Sequence, residues 1–513
     1  MRIRRRPDPG PACALSSVVA AAIIGLVGCS ATGSPTSGGS VPVTSHRAPG
    51  GVTVLDGDLS GLEVFPAALS PDGRRLAAVV ETVAGRVQTP GSGYGVAPSV
   101  TPGPAQLWVW DVRTGRRLTA ASIPYPATMT FARDGSRVIT EDPHDRGGEL
   151  HAFDIATGAE TALYVTRSGN PDGTDGGGPQ GNTPETRHMF ALGPDGSQLA
   201  TFAGNGFAVN PPGDDGGLGR TVTLRDAVAG AIIRPLQWIP DSRVEFPPAF
   251  TYSPHGEAIV AGYTRPRPSA DTTDRYSAGV ARWSTSTGAL LERLDIDPGP
   301  GTSTSTISRM VARVDRTGVA TGVTVRPPSG SGEVGRGQTL WMFDTSTRRR
   351  TTLADSIDRG YATDYDTDIS PDGTQIAVLT TKWHEAPDHM SARQTYTITT
   401  FDVSNGRRLH ERSLPATPCG AAPQGVSRPA VGTRTIQYSP DGSTFMVAGC
   451  GLTLYDSKDP QTERALQTAT DARRCDLGTT AQFSDDSTRI VGSGPCGIRV
   501  YDTSNGDIVA RAG

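Results

Sequence analysis

The chain has 513 residues and a formal net charge of −4, and its 63 Gly and 41 Pro make up about a fifth of it. Hydrophobic residues are 36% and aromatics 6%, which argues against a bundle of long helices or a multi-span membrane protein and favours many short strands joined by turns. A nucleic-acid binder needs a basic footprint, and this chain lacks one.

Residues 1–28 read as an export signal. Arg2, Arg4, Arg5 and Arg6 precede an apolar stretch over residues 12–27 that is short and rich in small residues for a membrane span. The segment ends Leu26-Val27-Gly28-Cys29, which resembles the lipobox of bacterial lipoproteins. The resemblance implies cleavage before Cys29 and lipid on its thiol, leaving the chain exported and held at the outer side of the cell membrane. Residues 29–50 are mostly Ser, Thr, Gly and Pro and bury too little to fold, so they read as a flexible tether reaching roughly 25 Å on average. Lys382 and Lys458 are the only lysines. This bias toward Arg, with abundant Ala, Gly and Pro, resembles chains from high-GC actinobacterial genomes.

A short extra strand is expected near residues 52–55. Beyond it two signatures alternate to the end of the chain. The first is an apolar residue followed by a Ser-Pro-Asp-Gly type turn: Leu69-Ser70-Pro71-Asp72-Gly73, Phe131-Ala132-Arg133-Asp134-Gly135, Leu192-Gly193-Pro194-Asp195-Gly196 and Tyr252-Ser253-Pro254-His255-Gly256. It continues as Val314-Asp315-Arg316-Thr317-Gly318, Ile369-Ser370-Pro371-Asp372-Gly373, Tyr438-Ser439-Pro440-Asp441-Gly442 and Phe483-Ser484-Asp485-Asp486-Ser487. Pro presets φ at the second turn position, Asp suits the third, and Gly accepts the left-handed conformation that closes a tight hairpin. The second signature is an alternating strand ending in an aromatic and Asp, then a Thr-Gly or Asn-Gly turn, as in LWVWDVRTG over residues 107–115 and IRVYDTSNG over residues 498–506. Seven of its eight instances carry the aromatic and seven carry the Asp.

Together these signatures resemble the WD40 and WD40-like (TolB-type) β-propeller repeats, over residues 51–513. The resemblance implies an all-β fold: a single β-propeller with four antiparallel strands per blade, in eight blades, with seven as the alternative. The aromatics are expected to pack between blades. Asp111, Asp154, Asp344, Asp402, Asp456 and Asp502 are expected to accept turn N–H groups.

The a–b and c–d turns are tight. Longer segments fall between strands b and c (81–106, 203–221, 263–279, 324–338, 381–395) and between d and the next a (167–187, 296–307, 413–433). Because strands alternate in direction, these emerge on one face, and insertions gathered on one face mark a binding surface. Cys419, Cys450, Cys475 and Cys496 sit at matching places in the last two units, which points to disulfides 419–450 and 475–496, with a four-thiolate zinc site as the alternative.

Candidate chemistry elsewhere is thin. His384 to His389 lacks zincin spacing, and Asn170, Asp172 and Asp175 form an incomplete calcium pattern. A Walker A loop and the Gly-x-Ser-x-Gly and Ser-x-x-Lys motifs are absent. The functional expectation is therefore a monomeric, membrane-anchored extracellular binding or scaffold module, presenting its long-loop face to a protein partner of the envelope, with no cofactor, metal or catalytic residue assigned. The alternative is a propeller enzyme (a hydrolase, lyase or quinoprotein type) with its site at the central channel.

Overall fold

The computed structural model describes residues 51–59, 62–82, 87–89, 99–101, 105–123, 128–142, 149–164, 190–202, 222–237, 250–266, 276–296, 304–312, 318–326, 337–356, 363–385, 392–414, 435–449, 451–467, 480–494 and 497–512. Among these every regular element is a strand, and the strands form an eight-bladed β-propeller with four antiparallel strands per blade. The leader, Cys29 and the tether lie outside the described residues.

Strands are lettered a to d within each blade. Blade 1 comprises Leu62–Leu69, Arg75–Thr82, Ala105–Asp111 and Arg117–Ile123; blade 2, Thr128–Phe131, Arg137–Asp142, Glu149–Asp154 and Glu160–Tyr164. Blade 3 comprises Phe190–Leu192, Gln198–Phe202, Val222–Asp226 and Ile232–Pro235; blade 4, Phe250–Tyr252, Ala258–Pro266, Tyr276–Ser284 and Leu290–Ile296. Blade 5 comprises Thr304–Ala312, Gly318–Arg326, Gly337–Asp344 and Arg349–Ser356; blade 6, Thr363–Ile369, Gln375–Glu385, Ala392–Asp402 and Arg408–Leu414. Blade 7 comprises Thr435–Tyr438, Thr444–Ala448, Leu452–Asp456 and Glu463–Gln467; blade 8, Thr480–Phe483, Arg489–Gly494, Gly497–Asp502 and Ile508–Ala512. The a strands of neighbouring blades touch, which places them innermost.

Each blade buries its apolar faces against its two neighbours, and the buried clusters follow the ring. Trp110 of blade 1 packs with Val491, Ile498 and Val500 of blade 8, and Phe153 of blade 2 with Val79, Leu107 and Val109 of blade 1. Trp283 sits against Leu224, Phe343 against Val280, Phe401 against Met342, Tyr455 against Ile398 and Tyr501 against Leu454. Every aromatic before the c–d turn is therefore an inter-blade wedge. In blade 3 Arg225 stands at that position; Ala227 and Leu199 fill the seam with blade 2, while Arg225 turns its guanidinium to Thr201 Oγ1 (3.3 Å) and the Gly230 carbonyl (3.0 Å).

The predicted extra strand closes the ring. Thr53–Val54 adds to the outer edge of blade 8, parallel to Ile508–Ala512. It also clasps blade 1: Asp56 N–H donates to the Gly115 carbonyl (2.7 Å), and Trp110 Nε1 donates to the Asp56 carbonyl (2.7 Å). Blade 4 makes the same pair of bonds to the chain leaving blade 3, through Gln237. The N-terminal segment thus supplies blade 1 with what blade 3 supplies to blade 4.

The segments 263–279, 324–338 and 381–395 open and close with strand: strand b runs on to Pro266, Arg326 and Glu385, and strand c begins at Tyr276, Gly337 and Ala392. In blade 6 strands b and c run on in register to Glu385 opposite Ala392. Thr-rich alternation there (TTKWHE against ARQTYTI) lets the two strands satisfy each other's backbone groups well past the seam. Tyr276 and Thr304 also bridge blades 4 and 5 into one eight-stranded sheet.

Candidate functional site

The antiparallel order places all a–b and c–d turns on one face and all b–c and d–a connections on the other. The two faces are built differently. On the second face, the first b–c connection carries its own hairpin, Val87–Thr89 paired with Ser99–Thr101; most of the other connections there lie outside the described residues.

The short-turn face is a double ring of hydrogen-bonded turns. Each c–d Asp caps its own turn: Asp111 Oδ1 accepts from Thr114 N (2.7 Å), Asp154 Oδ1 from Thr157 N (2.9 Å), Asp344 Oδ1 from Ser346 N (2.8 Å) and Asp402 Oδ1 from Ser404 N (2.8 Å). Asp456 and Asp502 do the same with Lys458 N and Ser504 N, both 2.8 Å.

The inner ring consists of the a–b turns at the channel mouth. In blade 7, Ser439 Oγ donates to Asp441 Oδ1 (2.6 Å) and accepts from Thr444 N (3.1 Å), while Ser443 N donates to Asp441 Oδ1 (3.0 Å). Blades 1, 6 and 8 repeat this set with Ser70–Asp72, Ser370–Asp372 and Ser484–Asp486. Burial alone would raise these four carboxyls, but the Ser hydroxyl and turn N–H bonds hold them below the ordinary Asp value. Ser487 takes the glycine position of blade 8 at φ 61° and offers its Oγ to Asp441 N (3.0 Å). Asp486 N–H reaches the Pro71 carbonyl (3.0 Å), joining blade 8 to blade 1.

Blades 2, 3 and 4 depart from this rule at consecutive turns. Ala132 and Gly193 replace the turn Ser, Arg133 replaces the turn Pro, and His255 replaces the turn Asp. A cavity of about 280 Å³ opens at these departures, walled by Arg133, Asp195, Gln198, Tyr252 and His255 with Pro194 and Pro254. The Asp195 oxygens are taken up by Ser197 N (2.9 Å) and Ser197 Oγ (2.7 Å). Those bonds, aided by the Arg133 charge, hold its carboxyl low. Tyr252 is only 7% exposed and its hydroxyl has no hydrogen-bond partner among the described residues, as is true of Tyr438 at the same position of blade 7; burial, then the Asp195 charge, pushes the Tyr252 phenol up and keeps it a donor. Arg133 also feels Asp485, which holds the Pro position of blade 8; crowding by surrounding protein raises that carboxyl although its surface is open to solvent.

This cavity was missed by sequence reasoning, which took the turns as fold markers and looked to the opposite face. The signal was present as departures from the Ser-Pro-Asp-Gly turn in blades 2, 3 and 4, though the turns of blades 5 and 8 depart from it as well. Cys29, Cys419, Cys450, Cys475 and Cys496 lie outside the described residues, as do Asn170, Asp172 and Asp175. His384 and Glu385 end strand b of blade 6, an extended geometry that cannot place two His one helical turn apart. Among the described residues no group of three or more His, Cys, Asp or Glu gathers into a metal-binding set, and no helix is long and apolar enough to cross a membrane.

No protein-family model and no curated protein matches the chain. Solved structures similar to it include the oligogalacturonate lyase of Vibrio parahaemolyticus (10% identity, 84% of this chain and 92% of that one, TM-score 0.41). TolB from Acinetobacter baumannii is 13% identical over 73% of this chain and 76% of its own, with a TM-score of 0.30. The β-propeller domain of the Trilobed protease from Pyrococcus furiosus is 9% identical over 80% of this chain and 97% of its own, with a TM-score of 0.38. Likeness at this level carries no functional argument, and the propeller assignment rests on the strand pairing.

Proposed function

We propose that this chain is a lipid-anchored envelope protein whose propeller binds a protein partner through the face bearing the b–c and d–a connections. The observation that carries this reading is the asymmetry of the disc. One face is locked by repeated five-residue turns, as between Leu69 and Arg75 and between Tyr438 and Thr444. The other bears connections of varied length, one with an added hairpin.

A closed propeller offers a broad rigid surface at little ordering cost, which suits a protein partner.

Surface cross-linking on intact cells tests the reading. Replacing residues 87–101 by a two-residue turn is expected to abolish the cross-linked product that the unaltered chain and an Arg133→Pro variant both give. The same product from the hairpin-deleted chain would overturn the face assignment. Cys29→Ser is expected to move the protein from the membrane fraction to the medium, and retention in the membrane would overturn the anchoring.

A further inference from the structure

Among the described residues, blade 8 alone carries a further strand beyond its strand d, the strap Thr53–Val54. Blade 8 already holds four antiparallel strands of its own, so the strap is an addition to a finished sheet. It is joined covalently to blade 1 and not to blade 8. Only Ser60 and Gly61 separate Leu59 from the first strand of blade 1, and the Leu62 N–H donates to the Leu59 carbonyl (3.0 Å). Its ladder with blade 8 is two residues long and parallel, the weaker of the two pairings. The strap therefore sits in the seam between blades 8 and 1 as a bound peptide would.

The seam reads this segment at successive positions. Ala510 and Arg511 pair with Thr53 and Val54, and the Arg511 carbonyl accepts from Leu55 N (2.9 Å). The Arg113 carbonyl accepts from Thr53 Oγ1 (3.3 Å). Trp110 Nε1 donates to the Asp56 carbonyl and the Gly115 carbonyl accepts from Asp56 N, both at 2.7 Å. Leu55 and Leu59, 2% and 7% exposed, enter the cluster formed by Trp108 and Trp110 of blade 1 with Val500 and Ala510 of blade 8. Gly57 lies against the Trp108 ring with a φ of 121°, and a Cβ there would meet Trp108 Cζ3 at 2.6 Å. These contacts select an extended Leu-x-Gly-x-Leu segment with a β-branched residue two places ahead of the first Leu. Backbone bonds give affinity and the side-chain positions give specificity, as in strand addition to a sheet edge. The groove walls are strands c and d of the two blades, each held by its own antiparallel ladder.

We infer that the seam between blades 8 and 1 is a peptide-binding groove, occupied here by the chain's own residues 53–59 and open to a Leu-x-Gly-x-Leu segment of a partner polypeptide when the strap withdraws. A strap attached in cis acts at an effective concentration of about millimolar, so it shuts the groove against dilute partners and serves as its gate. The site does not depend on which face of the disc meets the envelope partner.

Fluorescence anisotropy of a fluorescein-labelled peptide of residues 50–60 tests the inference. The peptide is expected to bind a full chain carrying Leu55→Ser saturably, and at least about tenfold more tightly than the unaltered chain. It is also expected to raise the thermal midpoint of that variant as its concentration rises. The same peptide with Gly57→Val is expected to bind at least about tenfold more weakly. A full chain with a protease site inserted between Ser60 and Gly61, cut after folding, gives a second route to an open groove and the same expected binding. Absence of saturable binding to either chain, equal binding to the unaltered chain, or equal binding of the Gly57→Val peptide would each overturn the inference. Loss of the folded state in both altered chains would overturn it too, because the groove would then not exist apart from the strap.

Discussion

Two arcs of one ring build the same turn in different ways. Across blades 6, 7, 8 and 1, Ser and Asp close each a–b turn on itself. Across blades 2, 3 and 4 the strand scaffold is unchanged, yet Ala132 and Gly193 remove the hydroxyl that bonds the turn Asp elsewhere, and His255 removes the carboxylate that would pair with Ser253. The turn motif stabilises the fold where it is complete. Where it is broken in blades 2, 3 and 4, a cavity of about 280 Å³ lies between the turns.

The largest test of this contrast is Ser439→Ala in the complete arc. Ser439 is buried and serves both Asp441 and the Thr444 N–H, so its loss is expected to cost about 2 kcal/mol in urea unfolding. The reverse change in the broken arc, Ala132→Ser, is expected to add only about 0.5 kcal/mol, because that turn already folds without it. Equal and opposite effects would show that the arcs do not differ.

Acid should expose the same contrast. The carboxyls of Asp72, Asp372, Asp441 and Asp486 sit below their ordinary value of 3.8. Their stabilisation is complete above that value and is lost as pH falls through the lowered values. The unfolding midpoint is therefore expected to drop steeply below about pH 4. Combining Ser439→Ala with Asp441→Ala should flatten that slope, and an unchanged slope would assign acid sensitivity to other carboxylates.

A smaller effect is expected from His255→Asp, which completes the blade 4 turn by giving Ser253 a carboxylate partner. Stability should rise by about 1 kcal/mol; a fall in stability would show that His255 has a structural role. An effect of similar size is expected from Arg348→Gly. Arg348 holds a left-handed φ of 53° and an exposed pairing with Glu292 at 3.4 Å. Relief of the backbone should outweigh the surface pair and raise stability by about 0.5–1 kcal/mol.

Much of this was legible before the coordinates. A five-residue turn recurring at each repeat revealed the blade period, and the aromatic-Asp pairs marked the inter-blade wedges and the capped c–d turns. The b–c extent was less legible: Thr, Arg and Lys read as loop, but in pairs such as Lys382 with Thr395 the backbone partner across the hairpin, rather than side-chain burial, sustains the strand. The cavity was the least legible part, since its residues lie in separate repeats.

By itself the sequence determined the repeat, the turn chemistry and which side chain wedges each seam, because these are local patterns of φ preference and alternation repeated along the chain. Only the tertiary structure decided that Thr53–Val54 clasps blade 8 to blade 1, and that Arg133, Gln198, Tyr252 and His255 share one cavity. Those contacts join residues far apart in the chain, and they exist only once eight sheets have closed around an axis.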